Sequence, residues 1–78
     1  MLHPLSERQQ ETLRIIHDHI CEKNYPPTIP EIQEYLKISN PGAVHKCFIA
    51  LEKKGYIIRH KGMHRGLDLT QEARELLQ

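Results

Sequence analysis

A mainly α-helical fold with one small β-hairpin is predicted by three features of the chain. Apolar residues recur at helical spacing in three successive segments, each opened by a capping residue. A glycine-punctuated stretch of alternating β-prone residues follows the third segment. The cationic side chains gather in that third segment and in the hairpin.

The first helix is read from Ser6 to about Lys23, with Leu13, Ile16 and Ile20 on one stripe. Ser6 and Gln9 fit an S-x-x-Q capping box, and Leu5 holds the position of a hydrophobic staple. Asn24-Tyr25-Pro26-Pro27 ends this helix, because successive prolines donate no backbone hydrogen bonds and the residue before a proline avoids helical geometry. Thr28-Ile29-Pro30-Glu31 is a second capping box with proline in the first turn, and the helix it opens runs through Ile32, Tyr35 and Leu36.

After the short connection Lys37-Ile38-Ser39, Asn40 caps a third helix with Pro41 at its first position. Val44, Cys47, Phe48 and Leu51 form its apolar stripe, and Gly55 suits the left-handed residue that terminates it. Tyr56 to Arg59 and Leu67 to Leu69 read as the strands of a hairpin with its tip at His60 to Gly66. Thr70 caps a last helix, Gln71 to Gln78, with Ala73, Leu76 and Leu77 on one apolar patch.

A short helix, a tight turn and a second helix, followed directly by a basic hairpin, give a winged helix-turn-helix: a three-helix core, a two-stranded wing and a short C-terminal helix. The helix-turn-helix is assigned to residues 28–54, the wing to 56–69 and the C-terminal helix to 71–78. All 78 residues are expected to form one domain, since so short a chain closes a single thin core. Hydrophobic residues at 38% and charged residues at 27% fit a soluble domain, and no apolar run approaches the roughly 20 residues that span a bilayer. Met1 to Leu5 lack the basic and apolar regions of an export signal, so a cytoplasmic location is expected.

The formal net charge of +1 conceals a separation. From Asn40 to Arg65 the six basic residues Lys46, Lys53, Lys54, Arg59, Lys61 and Arg65 face only Glu52, a net charge of +5, while the remainder of the chain carries −4. A basic segment beside an acidic one is the footprint of a face that meets a polyanion, and double-stranded DNA is the expected partner. A helix that enters the major groove needs small or polar residues in its first turns. Asn40, Gly42, Ala43, His45 and Lys46 meet that need: Asn suits adenine, Lys suits guanine, and Ala43 suits a thymine methyl. Lys53, Lys54, Arg59, Lys61 and Arg65 are candidate phosphate contacts. Arg65 also suits a narrow minor groove, and His64 at the hairpin tip completes the DNA-binding set. The bland alternative makes Asn40 only a helix cap and the others a solvated surface.

Arg8-Gln9-x-Glu11-x-Leu13, Pro26-Pro27-Thr28-x-x-Glu31-Ile32, Pro41-x-Ala43-Val44, Ala50 to Ile57 and Arg65-Gly66-Leu67-x-Leu69 together resemble the DNA-binding domain of LexA-type SOS repressors, without gaps from Leu5 to Leu69. The resemblance implies a recognition helix starting near Asn40, a wing at Lys61 to Arg65, and repression at an operator of two half-sites. The small apolar patch of Ala73, Leu76 and Leu77 leads to an expectation of at most weak association between two copies on such an operator. The family's base-reading positions fall on Asn40, Gly42, Ala43, His45 and Lys46. In the family a small polar residue such as Ser opens this helix, and acids often stand where His45 and Lys46 are, so the operator sequence does not transfer. The resemblance also implies, for full-length members, a self-cleaving Ser-Lys domain that dimerises. That domain is outside this sequence, and neither Ser6 nor Ser39 has a base arranged for catalysis, so no enzymatic activity and no small-molecule substrate are expected. The ending Leu69 to Leu77 is similar to the terminal helix of free-standing winged-helix regulators, and both a shortened repressor and a complete small regulator fit it.

His17 and Cys21, four apart with His19 nearby, invite a metal reading. With no C-x-x-C and no H-x-x-x-H pair within a helix, neither a metal nor another cofactor is expected. Both cysteines are expected as free, buried thiols, and Cys47 on an apolar stripe as inert packing rather than a redox switch. The rival function from another class is a winged helix used as a protein-interaction module, against which the basic segment counts.

Overall fold

A computed structural model describes residues 4–63 and 65–77. Its elements are α1 (Glu7–Lys23), α2 (Ile29–Leu36), α3 (Pro41–Lys53), β1 (Ile57–Arg59), β2 (Leu67–Leu69) and α4 (Gln71–Leu77). Four helices and one antiparallel hairpin give the winged helix-turn-helix architecture predicted from the sequence.

Local chemistry sets the helix ends. Ser6 and Gln9 exchange reciprocal capping bonds at the start of α1, and Thr28 and Glu31 do so at the start of α2. Asn24 and Lys37 close those two helices in the left-handed conformation, with φ of 65° and 57°. Lys37 begins the four-residue turn 37–40, in which Ile38 N–H still reaches back to Gln33 O at 3.1 Å. Beyond α3, Gly55 takes φ of 86° and Tyr56 N–H bonds Leu51 O at 2.9 Å, which turns the chain into the wing.

The core lies where the three helices meet the inner face of the hairpin. Leu13 and Ile16 of α1, Ile32 of α2 and Val44, Phe48 and Leu51 of α3 are buried together with Ile57, Leu67 and Leu69. Strand alternation sends Ile58 and Asp68 outward, and these two are cross-strand partners. Ala73 joins the core from α4, and Leu5 packs against its edge at the staple position. Among the described residues no helix is long and apolar enough to cross a membrane.

Three details differ from expectation. Tyr56 lies outside the strand, because its N–H bonds Leu51 O at the end of α3 instead of pairing across the hairpin, while its carbonyl receives the N–H of Thr70 and ties the wing to the cap of α4. The α4 patch divides: Ala73 is buried and Leu77 packs against the core, while Leu76 is 58% exposed. Cys47 is a buried free thiol as expected, but Cys21 is exposed, because it lies off the Leu13-Ile16 stripe of α1.

Candidate nucleic-acid interface

The recognition candidate is the outer face of α3. Val44, Cys47, Phe48 and Leu51 anchor the helix in the core, which leaves Gly42, His45, Lys46 and Ile49 exposed on the opposite side. Asn40 is the N-cap: its Oδ1 accepts the Gly42 N–H at 2.8 Å, and Nδ2 remains as a donor toward a ligand. Both roles assigned to Asn40 are therefore compatible, the oxygen serving the helix and the amide nitrogen a base or phosphate. A side chain at Gly42 would press on the Asn40 Oδ1, so glycine keeps the cap intact and the backbone open to close approach. Ala43 is half-buried at the start of the same helix.

Ile49 was not among the sequence candidates. It is 47% exposed and stands four residues after His45 and three after Lys46, so it extends their face by one turn. Its spacing carried that signal, but an isoleucine beside the apolar stripe reads as core.

The wing stands beside this helix. A groove lined by Ile29, Phe48, Arg59, Lys61 and Met63 separates the start of α2 from the hairpin tip. Arg59 lies with its guanidinium carbon 5.6 Å from the Phe48 ring centroid, a cation–π contact that holds the charge alongside α3. Lys61 is exposed at the tip. The tip itself is compact: His60 N–H bonds Gly66 O at 2.7 Å, and a side chain at Gly66 would collide with the His60 carbonyl. His64 lies outside the described residues.

Two of the phosphate candidates, Arg65 and Lys54, are engaged within the domain. Arg65 Nη1 donates to Glu31 Oε1 at 2.7 Å and to Pro26 O at 2.9 Å, while Nη2 donates to Glu31 Oε2 at 3.2 Å. Its guanidinium also covers the Tyr25 ring, 4.5 Å from the centroid. The backbone of Arg65 is left-handed, φ 55°, a conformation that costs a non-glycine residue roughly 1 to 2 kcal/mol. The hydrogen bond from Arg65, followed by the Thr28 backbone N–H, lowers the Glu31 carboxyl to about 2. The same bond to Glu31 raises Arg65 further above its ordinary value. Lys54 Nζ donates to Pro4 O at 3.0 Å and Gln9 Oε1 at 2.8 Å, at the far end of a 13-residue helix that spans about 20 Å. Lys53, its neighbour, is exposed at that same end.

On α1, His17 Nε2 lies 3.6 Å from Cys21 Sγ and His17 Nδ1 3.2 Å from Asp18 Oδ1. Among the described residues, no three side chains of metal-binding type converge.

A helix presented by a three-helix core, with a basic two-stranded hairpin at its flank, defines a winged helix-turn-helix domain. The chain belongs to the LexA DNA-binding domain family: the family model described as LexA DNA binding domain matches residues 2–66. It is 38% identical over 77 residues, 99% of the chain and 37% of the relative, to the LexA repressor of Lactobacillus johnsonii. It is 46% identical over 66 residues, 85% of the chain and 33% of the relative, to LexA repressor 1 of Geobacter sulfurreducens. Identity to the LexA repressor of Citrifermentans bemidjiense is 45% over 69 residues, 88% of the chain and 34% of the relative. The chain thus spans about a third of the length of these relatives.

Proposed function

We propose that this chain is the DNA-reading domain of a transcriptional repressor and binds an operator of two half-sites, one copy to each. The observation that carries the reading is the exposed face of α3, where Asn40, Gly42, His45 and Lys46 stand clear of the core beside Lys61 of the wing. Seated in the major groove, this face offers the Asn40 amide donor, the His45 imidazole and the Lys46 ammonium to base edges. Ala43 supplies apolar contact with a thymine methyl, and Lys61 neutralises phosphate on the flank. The relatives named as LexA repressors support repression as the outcome.

Because His45 and Lys46 are neutral or cationic where family members often carry acids, the preferred operator is expected to be this chain's own. Selection of duplexes from a random pool, followed by titration of the winner across a salt series, tests the reading. A defined half-site consensus and a steep loss of affinity with salt are expected. Flat, weak binding with no consensus would overturn the DNA reading in favour of a protein-interaction module.

A further inference from the structure

The outward charges of the wing contribute most to DNA binding when the hairpin is held at a fixed angle to α3, so that no ordering cost falls on the complex. Its own sheet gives little rigidity, because each strand has three residues and the two are paired only with each other. The tip lines one side of the groove at the start of α2, and there Arg65 forks onto both carboxylate oxygens of Glu31. Glu31 is itself immobilised, since Oε1 also accepts the Thr28 N–H at 2.8 Å as part of the capping box. Pro26 O and the Tyr25 ring complete the seat from the α1–α2 connection. Three groups from a neighbouring segment, the Glu31 carboxylate, the Pro26 carbonyl and the Tyr25 ring, thus converge on one side chain whose backbone is in the left-handed region, the arrangement by which surroundings over-determine a disfavoured conformation.

We propose that Glu31 and Arg65 form a clamp that sets the pose of the wing against the helix-turn-helix, so that both are positioning residues for DNA binding and neither contacts DNA. The proposal rests on the DNA-binding function above. It reverses the ordinary reading of an arginine on a wing, which would make Arg65 a phosphate or minor-groove ligand. The fork geometry matters, because a lysine supplies the charge without the paired donors.

The two roles give opposite signs. Removing the Glu31 charge by Glu31→Gln makes the chain more positive, which by electrostatics alone strengthens binding to a polyanion. If the clamp sets the pose, Glu31→Gln instead weakens binding to the selected duplex, by about tenfold if roughly a tenth of the unclamped molecules hold the binding pose. Arg65→Ala should lose a similar factor with the salt slope unchanged, the double variant should be no worse than Arg65→Ala, and Arg65→Lys should not rescue. Hydrogen exchange of the free protein should show faster exchange at the 60 and 66 amides in Glu31→Gln, by a larger factor than any loss of protection shared by α1 and α3. A salt slope reduced by about one in Arg65→Ala, rescue by Arg65→Lys and tighter binding by Glu31→Gln would make Arg65 a phosphate ligand and overturn the clamp. If the wild-type chain prefers no duplex, the DNA function falls by itself. Wing exchange that is the same in Glu31→Gln and wild type would then remove the clamp separately.

Discussion

Lys54 Nζ donates at 2.8 Å to Oε1 of Gln9, the oxygen that also accepts the Ser6 backbone N–H in the capping box of α1. One cation therefore joins the last residue of the α3 cap to the first turn of α1, with Pro4 O as its second acceptor. Lys54→Ala is expected to lower stability by about 1 kcal/mol, the ordinary worth of a charge-assisted hydrogen bond discounted for its partial exposure. In a domain of this size that is a fall of about 4 to 8 °C in Tm. DNA affinity and salt slope should stay at wild-type values when measured well below Tm. A salt slope reduced by about one, with Tm unchanged, would return Lys54 to the phosphate contacts.

Lys46 and Lys61 should fail in different ways. Lys46 is exposed on the outer face of α3, and Lys61 is exposed at the wing tip. Lys46→Ala should change the preferred base at one position of each half-site, at a cost of roughly 1 to 3 kcal/mol on the best duplex and little on random DNA. Lys61→Ala should weaken all duplexes alike and reduce the salt slope by about one. Selection and salt titration on both variants separate the two, and an unchanged consensus for Lys46→Ala would exclude base reading through that residue.

These contrasts track what the sequence allowed to be read. Ser6 with Gln9, Thr28 with Glu31, and Asn40 with Pro41 act within a few residues of each other, so their spacing alone located the starts of three helices. The outer face of α3 was legible for the same reason, since one helix period places Gly42, His45 and Lys46 together. The internal partners of Arg65 and Lys54 were not legible, because Glu31 lies 34 positions from the first and Gln9 45 from the second. A basic residue's partner is set by tertiary packing, which composition does not encode. Ile49 was passed over because apolar character outweighed its place on the exposed face.

Glu31 also makes stability depend on acid. Its carboxyl is held down to about 2 in the folded chain against an ordinary value of 4.5, chiefly by the hydrogen bond from Arg65 and then by the Thr28 backbone N–H. A depressed folded value means that protons bind the unfolded chain more readily, so the ionised group stabilises the fold fully above about pH 4.5. That contribution is lost as the pH falls through about 2. Thermal melts from pH 6 to about pH 2 should therefore show a shallower decline in Glu31→Gln than in wild type, the curves converging at the acid end. Parallel curves across the window would mean that Glu31 titrates at its ordinary value.

His19 offers a test in the opposite direction, where removing a polar group should do no harm. The residue is 3% exposed, and its ring meets Tyr25 and Tyr35 edge-on, with centroids 5.4 and 6.0 Å away. Nδ1 lies 3.4 Å from the Tyr35 hydroxyl, near the limit of a hydrogen bond, and Nε2 has no hydrogen-bonding partner among the described residues. An unsatisfied buried nitrogen opposes folding, whereas the aromatic contacts favour it. His19→Phe keeps the ring and removes the nitrogen, and is expected to leave stability unchanged or raise it by up to about 1 kcal/mol. His19→Ala discards the ring and leaves a void, at an expected cost of about 2 to 4 kcal/mol. Denaturant melts of the two variants decide the point. If His19→Phe loses as much as His19→Ala, the fold depends on the polarity of the imidazole itself, and Nε2 is hydrogen-bonded in solution.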